Sequence, residues 1–257
     1  MGLDIYAGTL TRYYAQNWKT VTQQWAEANG YNFHRVAPEE NEQPEDERMS
    51  PEEIQNVVEN WRDQILAKLV RLGHEPYVPW TEDNEKPYFT DKPDWDAFGA
   101  MLLVAACCSY KEPVPATIPK NWNFVEHSLI KRLSEDTEKV WSLFRETTWW
   151  IPLPDGFLFP GILPNGCETM IAATAGLRRE LEALNDLAWQ ADEETILGRS
   201  QTEGYPVDGD VNSYGIVEMK VEHTQYDVQS LAKYAFSIFY RALKFAEENQ
   251  VPILLDY

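Results

Sequence analysis

The last fifth of the chain carries its clearest hydrophobic pattern. Between Gly215 and His223, Val217, Met219 and Val221 alternate with Glu218, Lys220 and Glu222, the period of two that a strand buried on one face requires. Asp227 then stands where a helix N-cap belongs. Leu231, Ala235, Ile238, Ala242 and Ala246 recur at spacings of three and four, and Phe236, Phe239 and Leu243 widen the stripe. Lys233, Ser237, Arg241, Lys244 and Glu248 form one narrow polar line, so this helix is expected to be mostly covered by protein. Pro252 bars its continuation beyond Asn249. Val251, Ile253, Leu254 and Leu255 predict a short strand near the middle of a sheet, with Pro252 at its start. If the two flanking strands are parallel neighbours, their crossover is right-handed.

The N-terminus repeats the pattern. Leu3, Ile5 and Ala7 predict a strand, Asn17 caps a helix carrying Trp18, Val21 and Trp25, Gly30 ends it, and Tyr31 and Phe33 open a second strand. Ser50-Pro51-Glu52-Glu53 is a capping box with proline in the first turn. It starts a helix with Ile54, Val58, Trp61, Ile65 and Leu72 inward, closed by Gly73. An apolar helix is expected from Asp94 or Trp95 to Tyr110. Residues 121–147 read as helical, in two pieces parted near Ser134.

Trp149–Leu153 and Phe157–Phe159 flank Pro154-Asp155-Gly156, a hairpin signal. Pro164-Asn165-Gly166 then turns into a helix with Met170, Ala173, Leu177, Leu181 and Leu184 in register. Residues 37–49, 75–95 and 192–212 read as polar or irregular loops. Together these elements imply an α/β or α+β fold in one domain spanning 1–257. A small central mixed sheet is built from the N- and C-terminal strand–helix–strand segments, several helices surround it, and a hairpin lies at an edge.

Composition narrows the function classes. The chain has 257 residues, 22 basic against 42 acidic, for a formal charge of −20. That disfavours nucleic acid and anionic membrane as partners and favours a basic protein partner or weakly bound divalent cations, with no cofactor expected. Ten Trp, thirteen Tyr and ten Phe argue against disorder. Three cysteines without framework spacing, no basic-then-apolar leader and no membrane-length apolar run imply a soluble cytoplasmic protein.

Candidate chemistry is sparse. Asp208, Asp210 and Asn212 have the spacing that opens a calcium loop, but Ser213 and Met219 occupy the positions that want glycine and a bidentate glutamate. An ordinary Asp/Gly turn is the competing reading. Cys167 is placed at a helix start, where the dipole favours thiolate; a small turn residue is the alternative. Gly161 and Gly166 have the glycine interval of a phosphate loop, but Cys167-Glu168 replaces its lysine and hydroxyl, which rules it out. Arg12, beside Tyr13 and Tyr14, offers either an anion contact or a structural salt bridge.

Two features speak to association. The stretch from Tyr77 to Asp96 interleaves aromatics, prolines and acids: Tyr77, Trp80, Glu82, Asp83 and Tyr88 either grip a basic surface or fold inward over a satellite core. Acids also concentrate at Glu39, Glu40, Glu42, Glu45, Asp46 and Glu47, running on to Asp63, and again at Glu180–Glu194. Such runs are solvated faces or fields that steer a basic partner. The leading expectation is therefore a binding protein that occludes a basic protein partner, as an inhibitor, antitoxin or immunity-type protein does. The alternative is a hydrolase using carboxylates, with or without a divalent cation at Asp208, Asp210, Asn212 and Glu218.

Overall fold

The computed structural model describes residues 2–31, 49–206, 209–211, 217–219 and 223–257, with side chains outside 207–222. In chain order, β1 (Asp4–Ala7) leads to α1 (Leu10–Tyr14), α2 (Val21–Ala28), α3 (Pro51–Arg71), β2 (Phe89–Asp91), α4 (Trp95–Tyr110), β3 (Thr117–Pro119) and α5 (Ser128–Glu135). Next come β4 (Thr147–Ile151), β5 (Leu158–Ile162), β6 (Glu168–Ala173), α6 (Thr174–Ala188) and α7 (Glu193–Thr202). The elements β7 (Gly209–Val211), β8 (Val217–Met219), β9 (Gln225–Asp227), α8 (Val228–Asn249) and β10 (Ile253–Asp256) follow.

The fold is mixed α/β around a six-stranded sheet in the order β2-β1-β10-β4-β6-β5. Every neighbouring pair is antiparallel except β4 and β6. The two chain ends lie side by side, Ile5 opposite Leu255 and Ala7 opposite Ile253. The continuous apolar run 253–255 suits this interior position, because both of its faces are covered.

Alternation divides the core in two. Leu3, Ile5, Trp150, Ala172, Ile253 and Leu255 face a layer of α4, α6 and α8. Tyr6, Trp149, Ile151, Ile171 and Leu254 face α3 and a cluster of aromatics. The α4 helix is apolar around its whole girth and buries Ala97 through Cys107, which is why it sits between the sheet and its neighbours. Gly99 gives the Phe124 ring its place, since a Cβ there would lie 2.8 Å from that side chain. The α3 start is as expected: Ser50 accepts from the Glu53 N–H, and the Glu53 carboxylate accepts from the Ser50 N–H.

Several expected elements are arranged differently. The alternating segment before α8 is not a sheet neighbour of β10: its described part, β8, pairs antiparallel with β7 in a separate ribbon. The strand leading into α8 is β9, which pairs with β3, so there is no parallel crossover through α8. Residues 149–153 and 157–159 do not form a hairpin. Instead β6 lies between β4 and β5, and the tight turn is Leu163–Gly166, joining β5 to β6. Pro160 explains the choice, because a strand lacking that N–H is tolerated at an edge. Met170 and Ala173 belong to β6, and α6 begins only at Thr174.

The stretch 121–147 keeps α5 and two short 3-10 turns, then becomes strand at Thr147. Residues 193–202 form α7, with Ile196 buried beneath α8. Thr20, not Asn17, caps α2. The expected second strand beyond Tyr31 lies outside the described residues.

Candidate binding surface

The strap between α3 and β2 packs inward. Trp80 is 4% exposed and Glu82 5%, so neither is available to a partner, against expectation. The Glu82 carboxylate accepts from the Thr11 N–H at 2.9 Å and the Trp80 indole N–H at 2.8 Å. It thereby satisfies a free amide in the first turn of α1. Burial raises its pKa above the ordinary glutamate value, against the pull of these donors and of Arg62. Arg62, also buried, donates to the Trp80 carbonyl at 2.6 Å.

Tyr88 is half-buried, stacked on Tyr6 with Arg12 4.5 Å above its ring, and its hydroxyl accepts from the Lys19 N–H. Arg12 donates to the Asn17 and Lys86 carbonyls, so it ties two loops together, and among the described residues it is in no ion pair. Tyr77 donates to Asp155 at 2.6 Å beside His74, bolting the strap to the loop after β4; burial and that bond push its pKa up to about 12. Of the strap residues expected at a partner surface, Asp83 alone is exposed.

The acidic run Glu180–Glu194 is also used internally. Glu180 accepts from the Ser142 and Leu143 amides and the Ser142 hydroxyl. Glu182 pairs with Arg178, Asp192 caps α7 through the Thr195 N–H, and Glu193 pairs with Lys244. The basic line of α8 is equally committed: Lys233 pairs with Glu203 and Arg241 with Asp91, each at 3.1 Å.

Outward-facing acids remain at the start of α3. Glu52 lies in its first turn, and Asp83 and Glu85 project from the adjoining strap. The Gln55 side chain donates to the Glu82 carbonyl at 3.2 Å and joins the two segments. Glu39, Glu40, Glu42, Glu45, Asp46 and Glu47, which precede α3 in sequence, lie outside the described residues. So do Asp208 and Asn212, and the side chains of Asp210 and Glu218.

Among the described residues, no three His, Cys, Asp or Glu side chains are grouped to hold a metal ion. Cys167 is exposed in the β5–β6 turn, its N–H bonded to Asn165 Oδ1, and not at a helix start. No described helix is long and apolar enough to cross a membrane. No family model matches the chain, and no curated protein or solved structure is significantly similar to it.

Proposed function

We propose that the protein binds a basic protein partner through the acidic surface at the start of α3, occluding it as an inhibitor, antitoxin or immunity-type protein would. Glu52, Asp83 and Glu85 form the described part of that surface, and the acids from Glu39 to Glu47 extend it in sequence. The observation that carries the reading is how the charges are used. Arg12, Lys19, Arg62, Arg178, Lys233, Arg241 and Lys244 are all held by groups of their own chain. With 42 acids against 22 bases, the uncommitted surface charge is negative. Such a field raises the on-rate of a positively charged protein and is weakened by salt.

The test is capture from a lysate of the protein's own host at low and moderate salt, with the wild type and a Glu52→Gln/Asp83→Asn/Glu85→Gln variant. A basic protein held by the wild type, released as salt rises and lost with the variant supports the reading. Capture indifferent to both salt and the variant, or no capture at low salt, overturns it.

A further inference from the structure

One side of α3 borders a groove of about 1170 Å³ whose opposite wall is formed by the ends of β4, β5 and β6. The register of α3 on the sheet gives this groove two oppositely charged ends. Trp61 donates its indole N–H to the Ile162 carbonyl at 2.6 Å, Lys68 lies 5.3 Å from the centre of the Phe159 ring, and His74 is edge-on to Phe157 at 5.9 Å. The helix therefore runs antiparallel to β5. Ile162 pairs with Glu168, and Thr147 of β4 pairs with Met170 of β6. Glu146 thus stands at the Trp61 end, whereas Glu168, in step with Ala172, is directed to the opposite face of the sheet.

Lys68 and Arg71, one turn apart on α3, hold the other end. The two ends are separated by roughly 10–15 Å of helix. Among the described residues, Glu146 and Arg71 have no ion pair, and their side chains make no hydrogen bond. Between the ends, the Thr148 and Thr169 hydroxyls lie 2.8 Å apart and offer polar contacts beside the Trp61 ring.

We propose that this groove binds a short extended peptide segment with a cationic group near one end and a carboxylate about three to four residues away. An extended chain covers ~3.3 Å per residue, so that spacing matches the separation of the charged ends. The size suits the assignment, since the groove is at or above the ~300–1,000 Å³ of small-molecule clefts and is open along its length. Strand addition at β5 does not supply the affinity. Pro160 has no N–H to offer and Trp61 already occupies the Ile162 carbonyl. Recognition then rests on the two charged ends, and the site is independent of the acidic surface at the start of α3.

The experiment titrates the whole protein with four acetylated and amidated peptides, Lys-Ala-Ala-Glu, Gln-Ala-Ala-Gln, Lys-Ala-Ala-Lys and Glu-Ala-Ala-Glu, by calorimetry and by amide chemical shifts. Lys-Ala-Ala-Glu is expected to bind about tenfold more tightly than Gln-Ala-Ala-Gln. Arg71→Gln should remove that advantage from one end and Glu146→Gln from the other. Both residues are exposed, so folding is not at issue. Equal binding of the neutral peptide, no binding of Lys-Ala-Ala-Glu at millimolar concentration, or binding untouched by both variants overturns the proposal. Tightest binding of Lys-Ala-Ala-Lys, unaffected by either variant, reports the acidic surface alone: it overturns the groove and leaves the basic-partner reading standing.

Discussion

The Trp80 indole N–H donates to Glu82 Oε1 at 2.8 Å, and both side chains are buried. That bond fixes the strap between α3 and β2, because the same carboxylate also accepts from Thr11 at the start of α1 and faces Arg62.

Glu82→Ala should therefore be among the most destabilising single changes in the chain. It leaves the Thr11 amide and the Trp80 indole without their acceptor in the interior and removes the negative charge that faces Arg62, a loss of roughly 3–5 kcal/mol. Glu82→Gln retains one acceptor and should cost less. Urea unfolding followed by tryptophan fluorescence measures both. A loss under about 1 kcal/mol for the alanine variant would show that water replaces the carboxylate.

Charge reversal along α8 separates a pinning contact from a solvated one. Arg241 bonds Asp91 and Ser200 Oγ and lies over the Phe89 ring, tying α8 to β2 and α7. Arg241→Glu sets a second carboxylate against the half-buried Asp91 and should cost roughly 2–4 kcal/mol. Lys244 meets Glu193 with both side chains well exposed, so Lys244→Glu should leave the denaturation midpoint unchanged within error. Equal midpoints for the two variants would contradict this division.

Gly99 tests the packing of α4. It lies in the middle of a buried helix, where alanine would normally be the better residue. Here a Cβ would meet the Phe124 side chain at 2.8 Å. Gly99→Ala should therefore destabilise by about 1–3 kcal/mol through overpacking, and pairing it with Phe124→Ala should recover part of that loss. A stabilised single variant would mean that the ring moves aside freely.

The elements legible in the sequence were those whose signals are local. Ser50, Pro51 and Glu53 mark the start of α3, and the stripe from Leu231 to Ala246 marks α8. What was misread depends on partners remote in sequence. The alternation at Val217–Met219 is genuine, but periodicity does not say which strand it joins. Met170 and Ala173 satisfy a helical spacing as well as they do a strand, and only the place between β4 and β5 decides. Glu82 reads as a surface acid until Thr11, Trp80 and Arg62 surround it. The groove has no local signature either: Lys68, Arg71 and Glu146 come together only through the register of α3 against the sheet. The same holds for the acids of 180–194, whose partners lie on the 142–144 turn and α8.

Glu180 gives these contacts a pH dependence. Its carboxylate accepts two amides and a hydroxyl at the 142–144 turn, and the Trp150 indole donates to that same Ser142 hydroxyl at 2.9 Å, linking α6 to β4. Burial raises its pKa from 4.5 to about 7, outweighing these donors and the nearby Arg179. A carboxyl that holds its proton more tightly folded than unfolded contributes stability at low pH and loses it as pH rises. The loss should fall between about 4.5 and about 7 and be on the order of 3 kcal/mol. Glu180→Gln cannot titrate, so the stability difference between wild type and variant should shift against the wild type across that window, while circular dichroism shows both remain folded. The measurement is the urea midpoint of each protein at half-unit steps of pH. A wild-type-minus-variant difference that stays constant would mean that the three donors hold Glu180 ionised throughout. A difference that moves in favour of the wild type would mean that they lower its pKa below the unfolded value, reversing the balance between burial and hydrogen bonding at this turn.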